Sequence, residues 1–240
     1  GIYFLRYPEQ IADDSSLSFS LVSQETPSRM MVAEFMILYN WLASRFCRDN
    51  NIPLLYRSQK APSERVSSEG ASHAFYVFKQ RRKLCPLVID TKPGPHSGLG
   101  LDLYSNFSSP IRRYLDLVSQ RQIRNFLFEG VHLYNYEELD RIRLSAAQTI
   151  KDLNMIKRNR LRYWIQKHLQ TNSGESYPAF VLDILKSKYR VVLTDFLFPV
   201  EIKRDKEQKL VQGEDIMVSV KKSDPWNDIL QMEYEGKAES

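Results

Sequence analysis

The chain has 240 residues, 42% of them apolar and 26% charged, which supports a sizeable core in one large or two ordinary domains and excludes a disordered protein. Its formal charge of +5 permits nucleic acid as a partner without requiring it. Two cysteines are too few for a disulfide scaffold or a zinc site, no apolar run approaches membrane-spanning length, and no signal peptide is visible, so a reduced intracellular setting with no membrane partner is expected.

In chain order, residues 1–24 mix short apolar runs with turn residues and read as strand and loop. The chain opens on Gly1 rather than Met, as a processed or shortened form of a longer parent would. From Thr26 the pattern turns helical. Thr26 can cap, Pro27 suits the first position, and Met31, Phe35, Leu38, Leu42 and Phe46 recur every 3–4 residues until Asn50 and Asn51 end the helix. Residues 52–57 read as a short extended run, 58–70 as a polar loop and 71–84 as a helix.

Residues 91–107 carry Gly94, Gly98 and Gly100 beside Pro93 and Pro95, which excludes regular helix and marks a shaped loop. This loop feeds a helix expected over Ser109–Gly130, with Ser109 as N-cap, Pro110 at the first helical position and Gly130 as the stop. A long helical stretch follows from about Tyr136 to Gln170, with Leu139, Ile142, Ala146, Thr149, Leu153 and Ile156 in helical register and a break near Arg158–Arg160. TNSGES reads as a linker. Five short extended runs separated by turn residues then suggest a small barrel such as an OB-fold. A boundary near Ser173 divides the chain into residues 1–172 and 173–240.

The sharpest local anomaly is SSPIRRYLD, Ser108 to Asp116. If the helix starts at Ser109, Arg112 and Arg113 fall in its first turn, where unpaired N–H groups and the macrodipole are already positive. Two arginines there make sense around a bound anion, above all a phosphate that a guanidinium fork can grip. The alternative is an internal ion pair with Asp116, worth about 0.2–0.5 kcal/mol on a helix surface. The residue pattern alone leaves both open. Gly98 and Gly100 let the backbone approach a ligand, yet GPHSGLG matches neither a Walker loop nor a dinucleotide fingerprint.

Among other candidates, Glu34 reads as a solvent-facing carboxylate, His96 as a hydrogen-bonding loop residue and Asp13–Asp14 as solvated acids. Lys157, Arg158, Arg160 and Arg162 read as a solvated helix face that RNA could also use. Tyr189, Phe196 and Phe198 could stack bases if they face out of the barrel, although its core should claim at least half of them. No nucleophile–base triad and no cluster of metal ligands is visible.

The stretch TKPGPHSGLGLDLYSNFSSPIRRYLDLVSQRQ closely resembles the pattern GPHFGLGL..Y..FTSPIRRYPDL..HR of the RNB domain, the catalytic module of the ribonuclease II family. VAEFMILYN is similar to that family's VEE.MI.AN helix, and NIPLLYR to its GIPALYR segment. The resemblance implies an α+β fold: the C-terminal, helix-rich part of an RNB domain followed by a five-stranded OB-fold of the S-one type. It implies a parent that hydrolyses single-stranded RNA 3′-to-5′ to nucleoside 5′-monophosphates with magnesium, in bacterial cytoplasm or an organelle of bacterial descent, as a monomer. It places Arg112 at the scissile phosphate and Glu34 near the terminal nucleotide as the catalytic pair. Arg113, Ser109, Tyr114, Arg121, Gly98, Gly100 and the barrel's Tyr189 are the implied RNA contacts.

The chain departs from the pattern at several positions. Ala33 replaces the first glutamate of VEE.MI, Ser108 a threonine, Leu115 a proline, Gln120 a histidine, and Gln59 the histidine of YRVH. The family's upstream metal-binding aspartates have no counterpart, since Asp13–Asp14 lie in the wrong context, and its N-terminal cold-shock folds are missing too. The implied chain is therefore a C-terminal portion that holds no metal ligands and is inactive alone. A non-catalytic RNA-binding protein built on an RNB shell and a structural adaptor are the rival readings.

Overall fold

A computed structural model describes residues 3–6, 19–23, 26–64, 66, 72–204 and 209–238; Asp13 and Asp14 lie outside them. In chain order the elements are β1 (Tyr3–Arg6), β2 (Ser20–Ser23), α1 (Pro27–Asp49), β3 (Tyr56–Ser58), α2 (His73–Lys83), β4 (Val88–Asp90) and α3 (Tyr114–Glu129). There follow α4 (Tyr136–Thr171), β5 (Ser176–Ile184), β6 (Lys188–Leu193), β7 (Phe198–Lys203), β8 (Asp215–Asp224) and β9 (Ile229–Lys237). The class is α+β, with helices ahead of a closed five-stranded barrel. Two compact units result, one from Thr26–Arg65 and Lys83–Asn154, the other from Gly1–Glu25, Val66–Arg82 and Met155–Ser240. The barrel unit thus takes in the last turns of α4 as well as the strands.

In the first unit α1 starts just after Thr26 and ends before Asn50 and Asn51: Met30 N–H bonds to the Thr26 carbonyl, the Thr26 side chain makes no capping bond, and Asn51 turns the chain with φ 55°. The buried face is not the apolar stripe, however. Asn40, Ser44 and Cys47 are buried, whereas Met31, Phe35, Leu38 and Leu42 are exposed. The polar pair can go inside because it is fully engaged. Asn40 donates to the Tyr104 hydroxyl (2.8 Å) and accepts from the Phe107 N–H (2.9 Å), and Ser44 donates to the Asn40 carbonyl (2.6 Å). Cys47, Ile52, Leu54, Tyr56, Leu103 and Phe107 form the core beside it, and burial pushes the Cys47 thiol up to about 12, so it stays an unreactive thiol.

Helix α3 begins at Tyr114, five residues later than Ser109, and ends as expected at Gly130 with φ 70°. Helix α4 opens on a reciprocal capping box: Asn135 accepts from the Glu138 N–H (2.9 Å) and Glu138 from the Asn135 N–H (2.8 Å). It then runs unbroken to Thr171. The expected break near Arg158–Arg160 is absent because that stretch contains no Gly or Pro to interrupt the ladder. Of its apolar series, Leu139 is buried, while Leu153 and Ile156 are exposed. Among the described residues no helix is long and apolar enough to cross a membrane.

The barrel closes in the order β5-β6-β7-β9-β8, all antiparallel except β7–β9, which meet through the single parallel pair Ile202 and Met232. Strict alternation along β7 sends Phe198, Val200 and Ile202 inward. Ile165 and Leu169 of α4 belong to the same core. Outside the barrel, Phe75 and Phe78 of α2 each meet Phe180 edge-on at 5.9 Å, beside Leu182 and Val192.

Candidate nucleic-acid interface

The arginine segment is a turn that precedes its helix. The Ser109 carbonyl accepts from the Arg113 N–H (3.0 Å), and the Asp116 carboxylate accepts from the Ser109 N–H (2.9 Å). Asp116 is the acidic residue of the first helical turn, where the macrodipole favours negative charge. The same buried oxygen accepts two bonds from Arg113, from Nε at 2.9 Å and Nη2 at 2.7 Å. Arg113 also donates to Ser108 Oγ (3.2 Å).

The ion-pair reading therefore holds for Arg113 and fails for Arg112. Arg112 is exposed, and no described residue hydrogen-bonds or ion-pairs with its side chain. Beside Arg113 stands Arg57 of β3, half-buried and likewise without a side-chain partner among the described residues. Burial first, then the positive charge of Arg113, lowers its pKa. The Asp116 carboxylate offsets part of that positive charge, yet burial and Arg113 prevail, so a half-buried guanidinium here favours an anion. Sequence reasoning missed Arg57; its signal was a cation directly after the apolar run IPLLY.

Of the other expected site residues, Tyr114 and Arg121 lie seven residues apart on the exposed face of α3, and Ser109 is half-buried in the turn. Glu34 is exposed on α1, and among the described residues no hydrogen bond or ion pair joins it to the arginine turn; Asn40, further along the helix, is the α1 residue that reaches Ser108 (3.5 Å). Gly98 does permit a close approach, but by protein: a Cβ there would meet Gln59 Oε1 at 2.6 Å. Gly100 turns the chain at φ 67° and faces open space. His96 packs edge-on to Tyr104 (5.5 Å) with Nδ1 buried and unbonded.

Burial, with the Arg57 charge adding to it, lowers the His96 pKa below its ordinary 6.5. The unfolded chain therefore takes up this proton first, so stability falls as pH drops from 6.5 toward the folded value. The expected result is a melting temperature that declines between pH 7 and 5, with a shallower decline in His96→Gln; parallel curves would deny His96 the role.

In the barrel unit Tyr189 is fully buried, and Phe196 and Phe198 join it in the core, so none of the three presents a stacking face. Along β6, Tyr189 shares the inward parity of Val191 and Leu193. The surface that remains is an open groove of about 1080 Å³ crossing β6, β7 and β9. Seven cations line it (Arg82, Arg162, Lys188, Arg190, Lys203, Arg204 and Lys221) against two carboxylates, Glu201 and Glu233. Glu201 pairs with Lys188 (2.9 Å) and Arg190 (3.2 Å), which hold its carboxyl below the usual range, and Lys221 pairs with Glu233. Lys203 and Arg204 keep no carboxylate among the described residues. Strands two and three of such barrels are a common oligonucleotide face.

No three His, Cys, Asp or Glu side chains gather among the described residues. What surrounds the arginine turn is cationic, so these residues do not fit a magnesium ion.

The RNB domain model matches residues 8–129, half of the chain. The chain is 29% identical to an uncharacterized ribonuclease of Synechocystis over 95% of its own length and 35% of that protein. It is 30% identical to the chloroplastic/mitochondrial ribonuclease II of Arabidopsis thaliana over 83% of its length and 25% of that protein. The crystal structure of an active-site mutant of the Dss1 exoribonuclease from Candida glabrata superposes with a TM-score of 0.82 at 23% identity, covering 98% of this chain and 31% of that one. The chain thus spans about a third or less of these relatives. An RNB sequence match that ends on the arginine helix, followed by a five-stranded barrel, places this chain in the RNB-domain family of ribonuclease II.

Proposed function

We propose that this chain is the C-terminal part of a 3′-to-5′ exoribonuclease that hydrolyses single-stranded RNA to nucleoside 5′-monophosphates in RNA decay and processing. The observation that carries the reading is Arg112: an exposed guanidinium without an intramolecular partner, on a turn that Asp116 and Arg113 hold in place. Arg112 would meet the scissile phosphate and neutralise charge developing on its oxygens, with Arg57 and Arg113 behind it. Tyr114 and Arg121 would meet neighbouring nucleotides, and the barrel groove would hold more of the strand. Linking two such sites in one chain raises the effective concentration of the second once the first is bound.

The magnesium of the parent would be held by carboxylates elsewhere in the parent and not by residues of this chain. The exposed apolar face of α1 supports the reading of the chain as one part of a larger domain, because a face of that size is normally covered. The parent would work in bacterial cytoplasm or an organelle of bacterial descent, in keeping with a relative from Synechocystis and another named as chloroplastic/mitochondrial. The parent would act as a monomer.

The test is binding of the purified chain to a labelled single-stranded RNA across a salt series. Neutralised phosphates should weaken binding with a log–log slope of about −0.7 per phosphate. No magnesium-dependent degradation is expected from the chain alone, whereas the parent should degrade the strand. Absence of salt-dependent binding would favour the adaptor reading. A parent lacking an upstream aspartate cluster would favour the non-catalytic binder.

A further inference from the structure

Trp226, at the turn between β8 and β9, is 85% exposed. So large an apolar ring normally seeks burial. The turn that carries it is fixed rather than loose. Asp224 accepts from the Asn227 N–H (3.1 Å) and from Asn227 Nδ2 (2.8 Å). Asp228, at φ 54°, accepts from Gln166 Nε2 (2.6 Å) and from Arg162 Nε, both on α4. Ser223 just before the turn donates to the Gln166 carbonyl (2.9 Å) and accepts at its own carbonyl from Gln170 (3.1 Å).

The indole therefore stands in water on a braced support. Tyr163 of α4 meets it edge-on (6.3 Å, 76°) and meets Trp164 in the same way (5.0 Å, 80°). Arg162, the neighbour of Tyr163, both anchors the turn and lines the groove, where its guanidinium lies over Phe198 at 5.5 Å. Leu230 and Gln231, which follow the turn, line that groove too. Resting on the RNA-binding reading above, we propose that Trp226, braced by Tyr163, is a stacking platform for one unpaired nucleobase of a strand lying in the barrel groove. The site takes a base without regard to its identity, since every base offers a π-face. A protein partner is the less favoured occupant. The ring's neighbours in the turn are Asp224, Pro225, Asn227 and Asp228, so the apolar surface beside it is confined to Pro225 and Tyr163, while the adjoining groove is rich in cations.

The experiment uses the full chain with Trp226→Ala and Trp226→Phe, and measures fluorescence anisotropy with a labelled oligo-uridine and with an abasic strand of equal length. Trp226→Ala should bind the oligo-uridine about tenfold more weakly. Trp226→Phe should retain most of the affinity, the salt slope and melting temperature should not change, and the abasic strand should bind both variants like the wild type. An unchanged oligo-uridine affinity in Trp226→Ala, alongside weakened binding in Lys203→Glu/Arg204→Glu, would overturn the platform while the RNA reading stands, and would leave the indole to a protein partner. Failure of the wild-type chain to bind either strand would overturn the RNA reading itself and the platform with it.

Discussion

Replacing Arg112 by alanine in the full-length parent is expected to lower single-turnover RNA cleavage by about 10²–10³-fold, the range for removing one donor aimed at developing charge. RNA affinity should change only a few-fold. The asymmetry follows from the division of labour in the arginine turn. Arg113 is committed to Asp116 and Ser108, and Arg57 lies half-buried beside it, so both can hold a phosphate already at rest. Arg112 has no such commitment and, under the proposed function, would follow the phosphoryl oxygens as charge builds up. Arg112→Lys should recover little, because an ammonium cannot reproduce the planar fork. Measured losses of equal size in affinity and turnover would reduce Arg112 to one more binding cation.

The second large effect is expected at Asp116, whose carboxylate accepts from the Ser109 N–H and twice from Arg113. Asp116→Ala leaves that N–H without its acceptor and removes the acid from the first turn of α3. A fully buried pair broken on one side costs about 3–5 kcal/mol. Arg113 is 36% exposed and can hydrate, which brings the expectation down to about 2–3 kcal/mol. At about 2–4 °C per kcal/mol for a chain of this size, the melting temperature should fall by about 5–10 °C. Asp116→Asn should fall between, keeping an acceptor for Ser109 without the charge. A variant as stable as the wild type would mean that the turn is held by its backbone alone.

The barrel was the most legible part of the sequence, because inward and outward residues alternate and turn residues separate each run. The same alternation accounts for Tyr189: counting in twos from Val191 and Leu193 puts it in the core. The start of α3 departs from the sequence expectation for a local reason. Ser-Pro resembles a helix start, but the Asp116 side chain claims the Ser109 N–H and folds the segment into a turn instead. The question of why two arginines would oppose a helix dipole then dissolves, since both precede the helix. The stripe on α1 is a true helical periodicity, yet a period identifies a face and not what covers it. Trp226 was legible in principle from DPWND, whose Asp, Pro and Asn mark a turn with the indole at its tip. Arg57 was not, because its significance depends on Arg113, brought beside it only by folding.

The seam between β7 and β9 is the most sparsely bonded join in the barrel. Four of its five strand contacts are long antiparallel ladders, whereas this one rests on the single pair Ile202 and Met232. Residues 199–204 on one side and 230–234 on the other are also walls of the cationic groove. A polyanion lying across both walls would act as a clasp, drawing together strands that the backbone itself joins only once. The barrel's most sparsely bonded seam therefore runs along the floor of its cationic groove.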